Sequence, residues 1–422
     1  MGTAQLPRKI SCQRLSDLMY KHYLYTPSPS HLDVLSYRAV REKEVAKLVT
    51  VRLLLSVASV KGWPLHQLDV NNAFLQGDLE EEIYMKLPPG FSRKGKNSVC
   101  KLNKMNGLKQ ASRLWFSKFL NTFIQKGFTQ STADYSLFIY KKGLISLCVL
   151  IYVDDIIITG NNETSISKLK TYLEKLFSIK DLGKLQYFLG IEVSHSKQGI
   201  FLCQRKYILD ILKDAGLTGA RTSDFPMEQQ LQRKPDDGQP MSDPTVFHRL
   251  IGRLLYLTVT KPDITYDVNT LSQFMSNPHI AHMDAANRIL RYLKSTIGKG
   301  HFLSFSSTLH LSGYCDSDWV GCPTTRRSTT CYITMLGGSP ISWKTKKQAT
   351  VSRSSAEAEY RALATLTCEV QWLNYILNGL DIPHSEPISI FCDNQAAIHI
   401  AENPVFHERT KHIELDFHFI QK

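Results

Sequence analysis

The chain of 422 residues is 43% hydrophobic and 21% charged, which excludes general disorder and leaves room for two or three domains with sizeable cores. Its nine cysteines form no CxxC pair, no apolar run reaches membrane-spanning length, and no signal-peptide core opens the chain, so a soluble intracellular protein is expected, cytoplasmic or nuclear and with no membrane partner. The net charge of +13 is spread along the chain rather than gathered in a tail, which suits an extended polyanion such as nucleic acid.

Residues 1–47 mix basic residues, tyrosines and Ser-Pro repeats without sustained periodicity. A helix is predicted from Glu44, on a stripe of Val45, Leu48, Val49, Leu53, Leu54 and Val57, with Gly62, Trp63 and Pro64 ending it. Leu65 to Val70 reads as a buried strand, followed by a turn that presents Phe74. Asp69 is the only acid at this apolar strand end, either a turn or capping residue or a metal ligand. Asn106–Gly127 has helical spacing through Leu108, Leu114, Trp115, Phe119 and Phe123, a core stripe; Lys109, Gln110 and Arg113 at its start suit a phosphate or base edge, or are solvated. Asp134–Tyr140 and Leu144–Tyr152 then read as strands.

The stretch ISLCVLIYVDDIIITG, Ile145–Gly160, sets Asp154 and Asp155 between two runs that favour strand. It predicts a β-hairpin whose turn carries the acid pair. Asp is a common turn residue, so a polar turn is one reading; two carboxylates amid apolar strands also suit a divalent cation. Ser165–Phe177 is an amphipathic helix in pattern, and Leu185–Val193 with Gly199–Cys203 a hairpin. Arg221–Met241 is polar, a linker or surface segment. Helical patterns follow at His248–Thr260, Ile264–Met275 and Met283–Leu293, carrying Arg249, Arg253, Arg288, Arg291 and Lys294, which could follow a duplex backbone or simply face solvent.

From Leu309 the pattern turns α/β, with strands at Ser328–Leu336, Ile341–Lys344 and Ile388–Cys392 and a long helix over Ser354–Asn378. Acids stand at strand ends, Asp316 or Asp318 and then Asp393, and on the helix at Glu357 and Glu359, about 200° apart around its axis. Glu359 aligns with Ala362, Leu363 and Leu366, the stripe facing the sheet, and is preferred.

Several long stretches carry a family resemblance. GWPLHQLDVNNAFLQGDLEEEIYMKLPPGF, NGLKQASRLWFSKF, YVDD, LGKLQYFLGIEV, RLIGRLLYLTVTKPDITYDV and SRSSAEAEYRAL, in this order, resemble the reverse transcriptase–ribonuclease H segment of a copia-type LTR retrotransposon Pol polyprotein. The resemblance implies an α+β chain: a reverse-transcriptase palm over 48–225, a thumb and connection over 226–308, and an α/β ribonuclease H-like domain over 309–422, after an atypical segment at 1–47. It implies an RNA-directed DNA polymerase with ribonuclease H activity. Both reactions would use Mg²⁺, or Mn²⁺ in its place, with an RNA template, a DNA primer, an RNA–DNA hybrid and deoxynucleoside triphosphates as partners. Asp69, Asp154 and Asp155 would be the catalytic and metal-binding acids of the palm, with Phe74, Lys109, Gln110 and Tyr152 near nucleotide and template. Asp316, preferred to Asp318 because Gly321 and Pro323 fit the family's first-strand motif, would join Glu359 and Asp393 at the second metal site. Glu414 (or Asp416) would be its fourth acid, and His407 or His412 would assist proton transfer. Family members carry a fingers subdomain before this point, and here the pattern resumes only near Leu48. Very weak or absent primer extension is therefore expected, with a polymerase-inactive remnant that binds nucleic acid and keeps hybrid cleavage as the alternative. With no protease or integrase segment, autonomous transposition is not expected.

Overall fold

A computed structural model describes residues 47–73, 83–86, 99–102, 111–228 and 238–402. These fall into two compact units, one over 47–186 and the other over 187–378 and 382–402, with residues 379–381 grouped with the first. The division into compact units comes at Gln186/Tyr187. Among the described residues no helix is long and apolar enough to cross a membrane.

The first unit is built on a six-stranded antiparallel sheet in the order β4-β5-β6-β7-β1-β8. Its strands are β1 (Leu65–Val70), β4 (Thr129–Gln130), β5 (Leu137–Lys142), β6 (Ile145–Tyr152), β7 (Asp155–Gly160) and β8 (Ile179–Lys184); β2 (Ile83–Lys86) and β3 (Val99–Leu102) form a separate hairpin. Alternation along β6 and β7 gives one sheet face Leu147, Val149, Ile151, Ile156 and Ile158. That face packs on Trp115, Phe119 and Phe123 of α2 (Ala111–Gln125) and on Ile166, Leu169 and Leu173 of α3 (Glu163–Leu176). The opposite face, with Cys148, Leu150 and Ile157, is equally buried, which is why these strands read as unbroken apolar runs. Helix α1 (Leu48–Lys61) is buried at every position from Thr50 to Ser59 instead of along one stripe, as a helix apolar on all sides must be. Asp134, expected to open a strand, lies before β5: its carboxylate accepts from Thr50 Oγ1 (2.5 Å) and from Ser136 N (3.0 Å) and Oγ (2.6 Å), contacts that hold the chain in a turn.

In the second unit β9 (Tyr187–Phe188), β10 (Ile191–His195), β11 (Gly199–Cys203) and β12 (His301–Ser304) form one antiparallel sheet, order β12-β11-β10-β9. Between β11 and β12 run α4 (Arg205–Asp214), α5 (Pro244–Leu257), α6 (Thr265–Ser272) and α7 (Ile280–Ser295), whose Ile208, Phe247, Leu254, Leu271 and Ile289 share one core. A second sheet, order β15-β14-β13-β16, follows: β13 (Leu311–Asp318), β14 (Thr329–Leu336) and β15 (Ser339–Lys347) make an antiparallel meander. The long helix α8 (Ser355–Gly379) then carries the chain to β16 (Ser389–Phe391), which pairs parallel with β13, and α9 (Gln395–Glu402) follows. Gly313 of β13 lets α8 come close, since a Cβ there would stand 2.8 Å from Leu366 Cδ1. Trp343 Nε1 donates to Thr258 O (2.9 Å), tying this sheet to the helical part of the same unit.

Candidate functional site

The hairpin of β6 and β7 closes with Tyr152 opposite Asp155, leaving Val153 and Asp154 as the two turn residues. Asp154 thus sits in the turn, whereas Asp155, expected beside it there, opens β7. Val153 has φ +58°, unusual for a β-branched residue and costly without support. The support is the Trp115 indole, which donates from Nε1 to Val153 O at 2.9 Å. On the other side of β7, strand β1 places Asp69 directly opposite Asp155, and Val70 N donates to Asp154 O at 2.9 Å. Strand pairing therefore assembles three carboxylates from two distant stretches of sequence.

Their electrostatics agree with this crowding. Burial pushes Asp155 up to about 6; the Gln67 amide, donating from Nε2 to Oδ1 at 3.0 Å, opposes the rise, and Asp154 and Asp69 add to it. Asp154 is raised by burial and then by Asp69, against backbone N–H donors. Tyr152 is raised by burial, then by both neighbouring carboxylates. Among the described residues, the groups that chiefly shift the two aspartates include no cation. Half-buried and oxygen-only, this donor set fits a hard divalent cation such as Mg²⁺.

A second acidic cluster stands on the β13–β16 sheet. The parallel register sets Tyr314 beside Phe391, their rings stacked at 4.8 Å, and two residues beyond each come Asp316 and Asp393. Glu359, in the first turns of α8, points its Oε1 at Ser317 N (3.1 Å). It is pushed up to about 9 by burial, then by Asp316, Cys392 and Asp393, while the Ser317 amide opposes. Glu357 is otherwise engaged. Its carboxylate pairs with Arg361 (2.8 Å) and accepts from Arg353 N (2.8 Å), and Ser354 Oγ accepts from Glu357 N (3.1 Å), which fixes the start of α8. Asp318 accepts from Tyr266 OH (3.5 Å), and Gly321 lies so near that a Cβ would meet Asp318 Oδ2 at 1.8 Å.

Residues 13–229 match the family described as reverse transcriptase (RNA-dependent DNA polymerase), just over half the chain. The chain belongs to this reverse transcriptase family. The match reaches back to residue 13, into the segment that stood apart in the sequence reading. The retrovirus-related Pol polyprotein from transposon RE1 of Arabidopsis thaliana is 46% identical over 379 residues, covering 89% of this chain and 26% of the relative. The corresponding polyprotein from transposon RE2 of the same plant is 44% identical over the same shares. That from transposon TNT 1-94 of Nicotiana tabacum is 36% identical over 90% of this chain and 29% of its own length. These relatives are copia-type Pol polyproteins, the type the sequence signatures resemble, and the chain spans about a quarter of their length.

Within this reverse transcriptase chain the described residues bring together Asp69, Asp154, Asp155 and Tyr152 in one unit, and Asp316, Glu359 and Asp393 in the other. Phe74, Lys109, Gln110, Glu414, Asp416, His407 and His412 lie outside the described residues. Three of the basic residues considered for duplex contact bind the chain itself: Arg253 pairs with Asp214 and Arg288 with Glu228 (2.5 Å each), and Lys294 donates to Ala220 O (2.7 Å). Sequence reasoning missed Gln67, Trp115 as more than core, and Cys392. Gln67 was the most accessible of these, two residues before Asp69 and so on the same face of β1.

Proposed function

We propose that the chain is an RNA-directed DNA polymerase joined to a ribonuclease H-like domain. The observation that carries the reading is the β1–β7 register, which sets Asp69 against Asp155 beside the Asp154 turn. Asp69, Asp154 and Asp155 would hold two Mg²⁺ ions, which supply electrostatic stabilisation for in-line displacement on a nucleoside triphosphate. The chain's own contribution is placement. Gln67 fixes the Asp155 carboxylate, and Trp115 fixes the backbone of the turn that presents Asp154. In the second unit, a parallel strand pair flanked by an antiparallel meander and crossed by α8 supports a ribonuclease H-like reading. There Asp316, Glu359 and Asp393 would hold Mg²⁺ for hydrolysis of the RNA strand of a hybrid.

Because the family match reaches back to residue 13, purified protein should extend oligo(dT) on poly(rA) with Mg²⁺, and Asp154→Asn should abolish the extension. It should also degrade the RNA of an RNA–DNA hybrid, with Asp393→Asn abolishing that. Indifference to either substitution would overturn the corresponding assignment.

A further inference from the structure

The Cys392 thiol stands inside the acidic cluster of the second unit. Its Sγ is 3.9 Å from Glu359 Oε2, and one ligand atom from each of Glu359, Cys392 and Asp393 lies within 4.8 Å of the others. A second thiol, Cys315, interacts with it from the neighbouring parallel strand, one residue beyond the stacked Tyr314 and Phe391. Mg²⁺ takes oxygen ligands and leaves sulfur unused. Zn²⁺ and Cd²⁺ accept thiolate and carboxylate together, usually in tetrahedral sets. Sulfur and oxygen ligands of one tetrahedral Zn²⁺ stand roughly 3.5 Å apart. The Cys392–Glu359 pair, at 3.9 Å, therefore needs only a small contraction.

We infer that Glu359, Cys392 and Asp393 form a site for one thiophilic divalent cation, Zn²⁺ or Cd²⁺, which competes with Mg²⁺ for the same two carboxylates. The competition rests on the Mg²⁺ reading proposed above; the bond to sulfur does not. On binding, the Cys392 S–H bond breaks, its proton passes to solvent, and the sulfur electron pair forms the bond to the cation, with no change of oxidation state. Three protein ligands leave the fourth position to water, so such a cation occupies the cluster without completing a closed structural site.

Cd²⁺ titration of the full chain, followed by thiolate-to-metal absorption in the ultraviolet, tests this. One equivalent should produce a band that Cys392→Ser removes and Cys322→Ser leaves, and excess Mg²⁺ should shift the titration to higher Cd²⁺. Because a variant can misfold, the unsubstituted protein supplies the second measurement. Cys392 is partly exposed, and bound Cd²⁺ should slow its alkylation by iodoacetamide about tenfold or more, read residue by residue by mass spectrometry. Equal bands in the parent and Cys392→Ser, or alkylation of Cys392 unchanged by Cd²⁺, would overturn the site. Absence of hybrid cleavage under all conditions, with Cd²⁺ protection intact, would instead remove the Mg²⁺ reading and leave this one standing.

Discussion

Asp155, pushed up to about 6 mainly by burial, holds its proton more tightly in the folded chain than in the unfolded one. A carboxyl raised in this way favours the folded state at low pH and loses that advantage as pH rises from its ordinary value of 3.8 through 6. In chelator, Asp155→Asn should therefore match the parent near pH 4 and melt a few degrees above it at pH 7.5, since Asn keeps an oxygen for Gln67. Added Mg²⁺ should reverse that order by stabilising the parent more. Melting curves that coincide at pH 7.5 in chelator would show that the carboxylate carries no such strain. The two glutamates of α8 give a paired expectation. Glu359, raised to about 9, stabilises the fold fully only below pH 4.5 and loses that contribution as pH rises towards 9, so Glu359→Gln should raise metal-free stability at neutral pH while abolishing hybrid cleavage. Glu357→Gln should do the opposite, costing about 1 kcal/mol through the lost Arg361 pair and weakened helix start, with cleavage retained. The YVDD pair was legible because two adjacent acids interrupt apolar strands. That Asp155 faces Asp69 depends on strand register between distant segments, which local pattern does not record.

Among the elements, period decided most of what could be read. Unbroken apolar and β-branched runs at Leu147–Ile151 and Ile156–Ile158 located β6 and β7, and helical spacing located α2, α3 and α5 to α7. Element ends moved where a side chain captured the backbone, as Asp134 does before β5. Trp115 was read as a core residue, and it is one, 2% exposed and packed on Phe119 at 4.8 Å and Phe177 at 5.3 Å. Its second task, donating to the carbonyl of a residue at positive φ, depends on a turn that helical spacing cannot reveal. Trp115→Phe keeps the packing and removes the donor, leaving a buried carbonyl unpaired at a cost of about 1–3 kcal/mol. A displaced turn also misplaces Asp154, and a misplacement of about 1 Å can lower a rate roughly 100-fold. Extension kcat should accordingly fall far more than stability alone explains, with KM for the triphosphate little changed; a loss confined to thermal stability would reduce Trp115 to packing.

Across the molecule, each acidic cluster has its own sheet and its own supporting contacts. The first draws on β1, β6, β7 and α2, all within residues 65–160; the second draws on β13, α8 and β16, within 311–393. Strand β12, far along the chain, returns to pair with β11 and draws 187–203 into the second unit, a pairing that local sequence pattern does not record. Clusters that share no partner among the described residues should respond independently, with substitutions in one changing the other by no more than about twofold. Asp154→Asn should thus abolish primer extension and leave hybrid cleavage within that margin, and Asp393→Asn should do the reverse; losing one preorganised charged group at a reacting centre costs on the order of 100- to 1,000-fold. If a chain of net charge +13 holds nucleic acid through counterion release, raised salt should weaken both reactions in parallel, whichever cluster acts. Measuring extension and cleavage on one preparation of each variant, at two salt concentrations, separates these effects. If Asp154→Asn removed cleavage as well as extension, the two clusters would have to be reassigned to a single reaction.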